Sequence, residues 1–220
     1  RTANFYQARK ESNGFPDIIE DQLFNIAYLV FFFGIGPNST KVVKDLLDSK
    51  YSGFIDSLEE YLKGYQKVLK DQISKREPIA VEDGETIFIL DIKYKPFNGH
   101  LSKLSHYIRH LYQMVKFVDE ANIQSFDYEE RYEYVSTIRS QLSPHEQLLL
   151  YYNVLSVLGT PWLKNENLLK KYCVVKSMPL PLADFHKNPL DFLGTKNDYE
   201  KVMFEWTDIK SRLTNSSKDD

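Results

Sequence analysis

Cysteine is almost absent from this sequence: Cys173 is the single example among 220 residues. One thiol can form neither an intrachain disulfide nor a cysteine-based zinc site, and such usage is typical of a reducing compartment. Cys173 lies in the apolar segment L-L-K-K-Y-C-V-V, where no neighbouring residue would polarise the thiol. We therefore predict a buried structural thiol rather than a nucleophile, in a cytoplasmic protein.

An excess of charge of one sign is also missing. The formal net charge is −3 and the isoelectric point is about 6.0. No strong overall field therefore draws in nucleic acid, and any such contact depends on a local patch. Nine glycines and nine prolines are few for this length, which favours a mostly helical chain. A hydrophobic content of 42% indicates an ordered core rather than disorder.

The main apolar run is too short to cross a membrane. Leu23–Gly36 has 14 residues with Asn25 inside it, whereas a bilayer span needs about 20. The run instead predicts a fully buried core helix. The chain begins at Arg1 rather than methionine. Membrane attachment, at the cytoplasmic face of the inner membrane, is therefore expected only through a segment outside this sequence.

Apolar residues recur with helical spacing through most of the chain. This pattern predicts a mainly α fold, a single-domain helical bundle that covers residues 15–213. Residues 1–14 are polar and are expected to form a flexible N-terminal segment, with residues 214–220 as a disordered tail. A β-branched stretch near residues 80–95 predicts a small β-hairpin or an extended excursion.

Helix-start signals mark the second half of the chain. Asp127 and Ser143 each precede a helical pattern and have a glutamate three residues later, which predicts two helices that begin with capping boxes. The helix after Ser143 is apolar nearly all round and should be central, with Gly159 just past its end. Residues 162–176 offer another helix, and residues 198–213 a last amphipathic one.

Three of the five histidines fall in Asn98–Val118, a stretch with helical spacing. Leucine, isoleucine and valine residues share one side of this helix, and His106, Arg109 and His110 share the other. Phe117 lies on the polar side, so another helix is expected to cover part of that side. The stretch therefore predicts a part-buried cluster of imidazole and guanidinium groups.

No metal or other cofactor is predicted for this cluster. His106 and His110, at i and i+4, could bind zinc only with further ligands, and the cation at Arg109 disfavours a metal. The motifs H-E-x-x-H, G-x-x-x-x-G-K-[ST], G-x-G-x-x-G and G-x-S-x-G are all missing. Metal-independent ribonuclease chemistry needs a histidine base and an arginine that stabilises the phosphorane. His106, His110 and Arg109 are the catalytic candidates for that chemistry.

A second arginine–histidine pair lies further along the chain. Arg139 and His145 have an R-x5-H spacing like the R-x4-6-H of HEPN ribonucleases, but a helix end, Ser143 and Pro144 fall between them. His145 is therefore expected to be an exposed first-turn residue. Arg139 lies near the edge of an apolar stripe and needs a carboxylate, a carbonyl or a ligand. Asn153 is expected to be a buried amide that must find partners.

Two stretches resemble segments of one protein family. G-H-L-S-K-L-S-H-Y-I-R-H-L-Y is similar to the G-H-x-x-x-L-x-H-Y-x-R-H-L-[FY] segment of the AbiC-like phage abortive infection proteins. I-R-S-Q-L-S-P-H-E-Q-L-L-L-Y-Y-N is similar to that family's L-R-[AS]-Q-L-S-x-x-E-x-x-L-[LF]-[FY]-[FY]-N segment. F-N-I-A-Y-L-V-F-F-F-G-I-G resembles its early apolar segment. The resemblance, over residues 22–36 and 97–176, singles out His100, His106, Tyr107, Arg109, His110, Arg139, Gln141, Ser143, Glu146 and Asn153.

The resemblance implies a bacterial defence role against phage, often with an N-terminal membrane-anchoring part. In one hypothesis the protein acts on RNA or a nucleotide, with His106 or His110 as the proton-transfer group. The residues expected to bind the ligand are Arg139, Glu146, Asn153, Tyr107 and His100. In the other hypothesis the protein is a non-enzymatic sensor or adaptor that binds a phage or host protein. Both hypotheses are compatible with a homo-oligomer.

Overall fold

A computed structural model describes most of the chain. The described ranges are 2–74, 79–83, 86–90, 97–122, 126–164, 166–183 and 186–205. Side chains are described in these ranges except at residues 11–13, at residue 73 and in the two strands. The predicted tail at residues 214–220 lies outside the described residues.

Helices dominate the described residues, which confirms the predicted mainly α fold. The α-helices are α1 (Thr2–Asn13), α2 (Glu20–Phe33), α3 (Pro37–Asp45), α4 (Ser52–Ser74), α5 (Leu101–Glu120), α6 (Tyr128–Arg139), α7 (Pro144–Leu155), α8 (Thr160–Leu163), α9 (Leu168–Lys171) and α10 (Pro189–Leu193). Short 3₁₀ turns occupy Ser49–Tyr51, Val157–Gly159 and Leu180–Leu182. The elements group into two compact units, Arg1–Leu104 and Ser105–Asp220, and the boundary falls within α5.

The first unit contains α2, whose sequence is apolar nearly all round. Its buried residues are Leu23, Phe24, Ile26, Tyr28, Leu29 and Phe32. This burial confirms the core helix predicted from the apolar run. In α4 the buried residues repeat with helical spacing instead: Phe54, Ile55, Leu58, Leu62 and Leu69. Among the described helices, none is both long and apolar enough to cross a bilayer.

The prediction of a flexible segment over residues 1–14 is wrong, because α1 occupies most of it. Phe5 and Tyr6 are buried in the first unit. The Tyr6 hydroxyl donates a hydrogen bond to the Pro16 carbonyl oxygen (3.0 Å) and accepts one from the Ile18 amide (2.9 Å). These two aromatic side chains thus anchor a largely polar helix in the unit.

The predicted β excursion is confirmed as an antiparallel hairpin of β1 (Ile79–Asp83) and β2 (Thr86–Leu90). The register pairs Ile79 with Leu90 at the open end and Asp83 with Thr86 beside the turn. Residues 91–95, the last part of the predicted excursion, lie outside the described residues.

Two glycines let the end of α2 contact the chain that precedes α5. Gly34 and Gly99 have φ angles of +81° and +79°, which favour glycine. A Cβ atom at Gly99 would lie 2.5 Å from the carbonyl carbon and oxygen of Phe33. The His100 amide donates to the Phe32 carbonyl oxygen (2.8 Å) across the same contact. A larger residue at position 99 therefore requires the backbone to move.

The second unit has its core on α5, α6 and α7. The buried residues of these helices include Leu111, Val115 and Val118 on α5, Tyr132 and Val135 on α6, and Leu150, Tyr151 and Val154 on α7. Both predicted capping boxes are confirmed. The Asp127 carboxylate accepts from the Glu130 amide (3.0 Å), and the Glu146 carboxylate accepts from the Ser143 amide (2.8 Å). These caps fix the start of α6 and of α7.

The end of α7 differs from the prediction. The helix stops at Leu155 and not next to Gly159, because Ser156 adopts an extended backbone and its hydroxyl donates to the Asn153 carbonyl oxygen (2.7 Å). Gly159 has another role. A Cβ atom there would lie 2.3 Å from the Asn153 carbonyl oxygen, so the glycine allows the following turn to fold back against α7.

Residues 162–176 do not form the one helix predicted for them. Two short helices, α8 and α9, are found instead. Asn167 lies directly before α9 and has a left-handed φ of +48°. The Asn167 side chain then caps α9 by accepting from the Lys170 amide (3.1 Å). An asparagine that can bond the backbone locally competes with a continuous helix, and here the local bond prevails.

The predicted last helix does not begin at Asp198. The Asn197 side-chain oxygen accepts from the amides of Tyr199 and Lys201, both at 2.9 Å, and so holds a turn. Lys196 and Val202 then form an isolated antiparallel bridge. The remainder of that predicted helix, residues 206–213, lies outside the described residues.

A candidate ligand-binding cleft in the second unit

An open cleft of about 660 Å³ lies among α5, α6 and the start of α7. Its lining residues are His106, Tyr107, His110, Leu111, Met114, Thr137, Ile138, Gln141, Leu142 and Glu146. His106, His110 and Met114 follow one another at intervals of four residues, so they share one face of α5. The turn between α6 and α7 supplies Gln141 and Leu142, and the α7 capping box supplies Glu146.

Most of the cleft wall is apolar. Leu111 and Leu142 are buried beneath it, and Ile138 is half-buried. Met114 is 36% exposed, so its flexible thioether is open to a bound molecule. His106 and His110 are exposed at the cleft. The described lining residues include neither lysine nor arginine.

Tyr107 and Glu146 are two neighbouring polar residues of the wall. The Glu146 carboxylate accepts hydrogen bonds from the Ser143 amide (2.8 Å) and hydroxyl (2.7 Å), both at Oε2. These bonds, with a smaller contribution from Tyr107, lower the pKa of Glu146. Burial, followed by the charge of Glu146, raises the pKa of Tyr107 to about 12. At neutral pH the phenol is therefore protonated and the carboxylate is ionised.

The Tyr107 hydroxyl oxygen is itself buried. It makes no well-formed hydrogen bond with the described residues, although it is close enough to Glu146 for each group to affect the pKa of the other. The hydroxyl therefore lies behind the wall of the cleft, where it influences Glu146 without being open to solvent.

The three predicted catalytic residues are not assembled together. His106 and His110 line the cleft, but Arg109 is exposed and is not among the lining residues. Phe117 also departs from the prediction: it is 76% exposed, so no described helix covers it. A guanidinium that stabilises a phosphorane must contact the phosphate, and neither arginine of the prediction lines this cleft.

Arg139 is buried, and its guanidinium bonds the protein itself. Nη1 donates to the carbonyl oxygens of Tyr172 and Cys173, both at 3.1 Å, and Nη2 donates to the Ser136 hydroxyl (2.8 Å). The guanidinium carbon lies 5.5 Å from the centre of the Tyr132 ring. Of the partners predicted for Arg139, the structure provides carbonyls. These bonds give Arg139 a role in fixing the turn after α9, and its assignment as a ligand-binding residue stays a prediction.

The residues that line the cleft do not include Asn153, His145 or Cys173. Asn153 is buried as predicted, at 2% exposure, but belongs to the core of the second unit. His145 is exposed, as predicted for a first-turn residue, and does not line the cleft. Cys173 is fully buried, which confirms the structural thiol, and burial raises its pKa.

His100 belongs to the first unit. Its ring lies 4.5 Å from the Phe31 ring, centre to centre, and both line a cavity of about 120 Å³. Burial, helped by the charge of Lys103, lowers the pKa of His100. His100 is thus held by aromatic packing and by its backbone bond to α2, and it is not part of the His106–His110 cleft.

Sequence reasoning did not select Met114 and Thr137 as site residues. The signal for Met114 is its position four residues after His110, on the same helix face. Thr137 carries no comparable signal, because its place at the cleft depends on how α6 packs against α5.

The fold and the site define a mainly α protein with an open, largely apolar cleft carried on three helices. Within the described ranges, no group of three or more histidine, cysteine, aspartate or glutamate side chains could hold a metal ion.

Residues 99–182 match the family described as "Putative phage abortive infection protein". The chain is similar to this family over these residues, which confirms the resemblance seen in its motifs. Every lining residue of the cleft falls inside the matched range. Comparison with curated proteins and with solved structures gave no significant match.

Proposed function

We propose that this protein acts in defence against phage and that the cleft of α5, α6 and α7 is its working site, used to bind a ligand. The observation that carries the proposal is the position of the cleft inside the matched range, with His106, Tyr107, His110 and Glu146 all in its wall. Binding is favoured over phosphate chemistry because the described lining residues include neither lysine nor arginine.

The shape of the cleft supports a binding role. Its volume of about 660 Å³ falls within the range of about 300–1,000 Å³ that is usual for small-molecule sites. Such sites combine an apolar wall with a few placed polar groups. Here the apolar wall is formed by Leu111, Met114 and Ile138. The polar groups are the Glu146 carboxylate and the two imidazoles.

A variant that fills the cleft tests this proposal. Thr137 is exposed on α6 and lines the cleft, so Thr137→Trp should occupy the space without disturbing the core. We expect phage plating efficiency on cells that make this variant to rise to that of cells without the protein. Thr137→Ala is the matched control and should keep protection. If Thr137→Trp protects as well as the unaltered protein, the cleft is not the working site.

The histidine pair provides a second test of the same site. We expect His106→Ala/His110→Ala to lose protection while its melting temperature stays within about 2 °C of the unaltered protein, because exposed side chains contribute little to stability. His145 is an exposed histidine outside the cleft. The control variant His145→Ala should keep both the phage protection and the melting temperature of the unaltered protein. Loss of folding in the double variant would instead indicate that the two imidazoles are structural.

RNA cleavage remains the second candidate function, favoured by two imidazoles that share one cleft with a carboxylate. Two such groups could act as base and acid in a metal-independent transfer. RNA integrity during infection tests this activity: new RNA fragments that disappear with His106→Ala/His110→Ala would support it. Intact RNA in protected cells would remove it and leave ligand binding.

A further inference from the structure

We infer that the cleft binds an organic cation, a molecule with an apolar body and a protonated nitrogen group that pairs with Glu146. This inference rests on the proposed function, because it names the ligand class of the same cleft. It is carried by the position of one fixed carboxylate in a wall whose described lining residues include no other acid and no lysine or arginine.

Glu146 is fixed in position by its own helix start. Its Oε2 atom accepts from both the amide and the hydroxyl of Ser143, and these two bonds hold the side chain against the first turn of α7. The helix cap makes no use of Oε1. The buried hydroxyl of Tyr107 is close enough to the carboxylate for each group to affect the pKa of the other, so Tyr107 influences the ligand only through Glu146.

No side chain compensates the charge of Glu146 in the described part of the chain. The ion pairs formed there do not include Glu146. Among the described lining residues, Glu146 is the one that carries a formal charge when the histidines are neutral. The N-terminus of α7 stabilises the carboxylate through its amides, but it supplies no counter-ion. An anionic ligand would meet an uncompensated like charge at this wall.

The other lining residues determine which ligand shapes and polar groups the cleft can accommodate. Leu111, Met114 and Ile138 offer an apolar surface for an aromatic or aliphatic body. Each neutral imidazole, at His106 and His110, has one acceptor nitrogen. An N–H group of the cation can therefore bond a histidine as well as the carboxylate. The structure thus favours amines, amidines and guanidines over carboxylates and phosphates.

Methionine methyl NMR provides a direct test on the full chain. The sequence has three methionines. Met114 lines the cleft, whereas Met178 and Met203 are fully buried in the core. Benzamidine, benzamide and benzoate share one ring and differ in the charge of the attached group, so they are the probes. We expect benzamidine to shift the Met114 methyl signal saturably, benzamide more weakly and benzoate not at all, with Met178 and Met203 unchanged.

Two conservative variants identify the group that is recognised. Glutamine can replace glutamate in a capping box, so Glu146→Gln removes the charge but keeps the helix start. We expect it to weaken benzamidine binding about tenfold, equivalent to ~1.4 kcal/mol. We expect Tyr107→Phe to weaken binding about threefold, a smaller effect, since Tyr107 acts only through Glu146. His145→Ala is the control and should leave benzamidine binding unchanged.

A peptide arm distinguishes the source of the cation. The N-acetylated amide of a Phe-Arg dipeptide carries a guanidinium as its single cationic group, next to an apolar side chain, and enters the same titration. Tighter binding of this peptide than of benzamidine would identify a basic peptide side chain as the source. Tighter binding of benzamidine would identify a free small molecule. Either result supports the inference if Glu146→Gln weakens the binding of the tighter probe.

Three results would overturn the inference. They are a Met114 shift with benzoate as large as with benzamidine, no Met114 shift with any of the cationic probes, and benzamidine binding unchanged in Glu146→Gln. None of these results tests the proposed function. Phage protection by cells that make Thr137→Trp tests it instead. If Thr137→Trp keeps full protection while benzamidine binds through Glu146, the cleft binds cations but is not used in defence.

Discussion

Gly99 and His100 belong to the same short motif as His106 and His110, yet the two halves have different roles. In the first half the contacts are made by the backbone: Gly99 lies against the end of α2, and the His100 amide bonds the Phe32 carbonyl oxygen. In the second half the side chains line an open cleft. A motif that reads as one functional cluster therefore contains both a structural contact and a candidate site.

The two halves of the motif differ in which residues can be replaced without loss of the fold. A backbone contact with positive φ leaves room for glycine alone, because any Cβ atom would overlap the neighbouring chain. An exposed side chain at a cleft can be replaced at little cost to stability. We therefore expect mutations at Gly99-His100 to reduce the stability of the protein. Mutations at His106 and His110 should reduce phage protection and leave stability unchanged.

Gly99→Ala should have the largest effect. Its Cβ atom would lie 2.5 Å from Phe33 backbone atoms at a φ of +79°. We expect a loss of stability on the order of 3 kcal/mol, measured by chemical denaturation. Gly64→Ala, inside α4 with no atom within 4 Å of the new Cβ, is the control and should gain about 0.5–1 kcal/mol. Equal stability of Gly99→Ala and the unaltered protein would show that the contact can relax.

Arg139→Met should have the next largest effect. It leaves the carbonyl oxygens of Tyr172 and Cys173 without their shared donor inside the core. The expected loss is about 2–3 kcal/mol, seen as a lower denaturation midpoint. Arg109→Ala, the exposed arginine of the motif, should change stability by less than about 0.5 kcal/mol. An Arg139→Met protein that is fully stable but gives no protection would support the assignment of Arg139 as a ligand-binding residue.

Ser143→Ala should have the smallest effect, a loss of about 1 kcal/mol at neutral pH. Hydrogen bonds from Ser143 lower the pKa of Glu146 below its ordinary value of 4.5. A depressed folded-state pKa adds stability above pH 4.5 that is lost as the pH falls through the lowered pKa. We therefore expect Ser143→Ala to lose less stability than the unaltered protein when both are titrated from pH 6 to pH 3. Ser102→Ala, an exposed serine on α5, should follow the unaltered protein.

Local signals in the sequence were sufficient for several elements. The capping boxes at Asp127 and Ser143 predicted where α6 and α7 begin, because a cap is formed by residues three apart in the chain. The burial of α2 followed from its apolar composition. The α1 helix does not follow from its sequence because most of its residues are polar, and the packing of Phe5 and Tyr6 depends on other elements.

The site was only partly predictable for the same physical reason. Helical spacing placed His106 and His110 on one face of α5, and the family resemblance added Tyr107, Gln141 and Glu146. Spacing could not tell whether Arg139 would meet a ligand or a backbone carbonyl, since its partners lie 33 and 34 residues away in the chain.

The sequence by itself determined the helical class, the capped helix starts and the membership of the histidine-rich face, because each depends on residues within a few positions of one another. Only the tertiary structure decided which of these polar groups remain available. Packing turned Arg139 towards the carbonyls of Tyr172 and Cys173, placed Gly99-His100 against α2, and left His106, His110 and Glu146 at an open cleft. Availability depends on contacts between distant segments, and local periodicity carries no information about them.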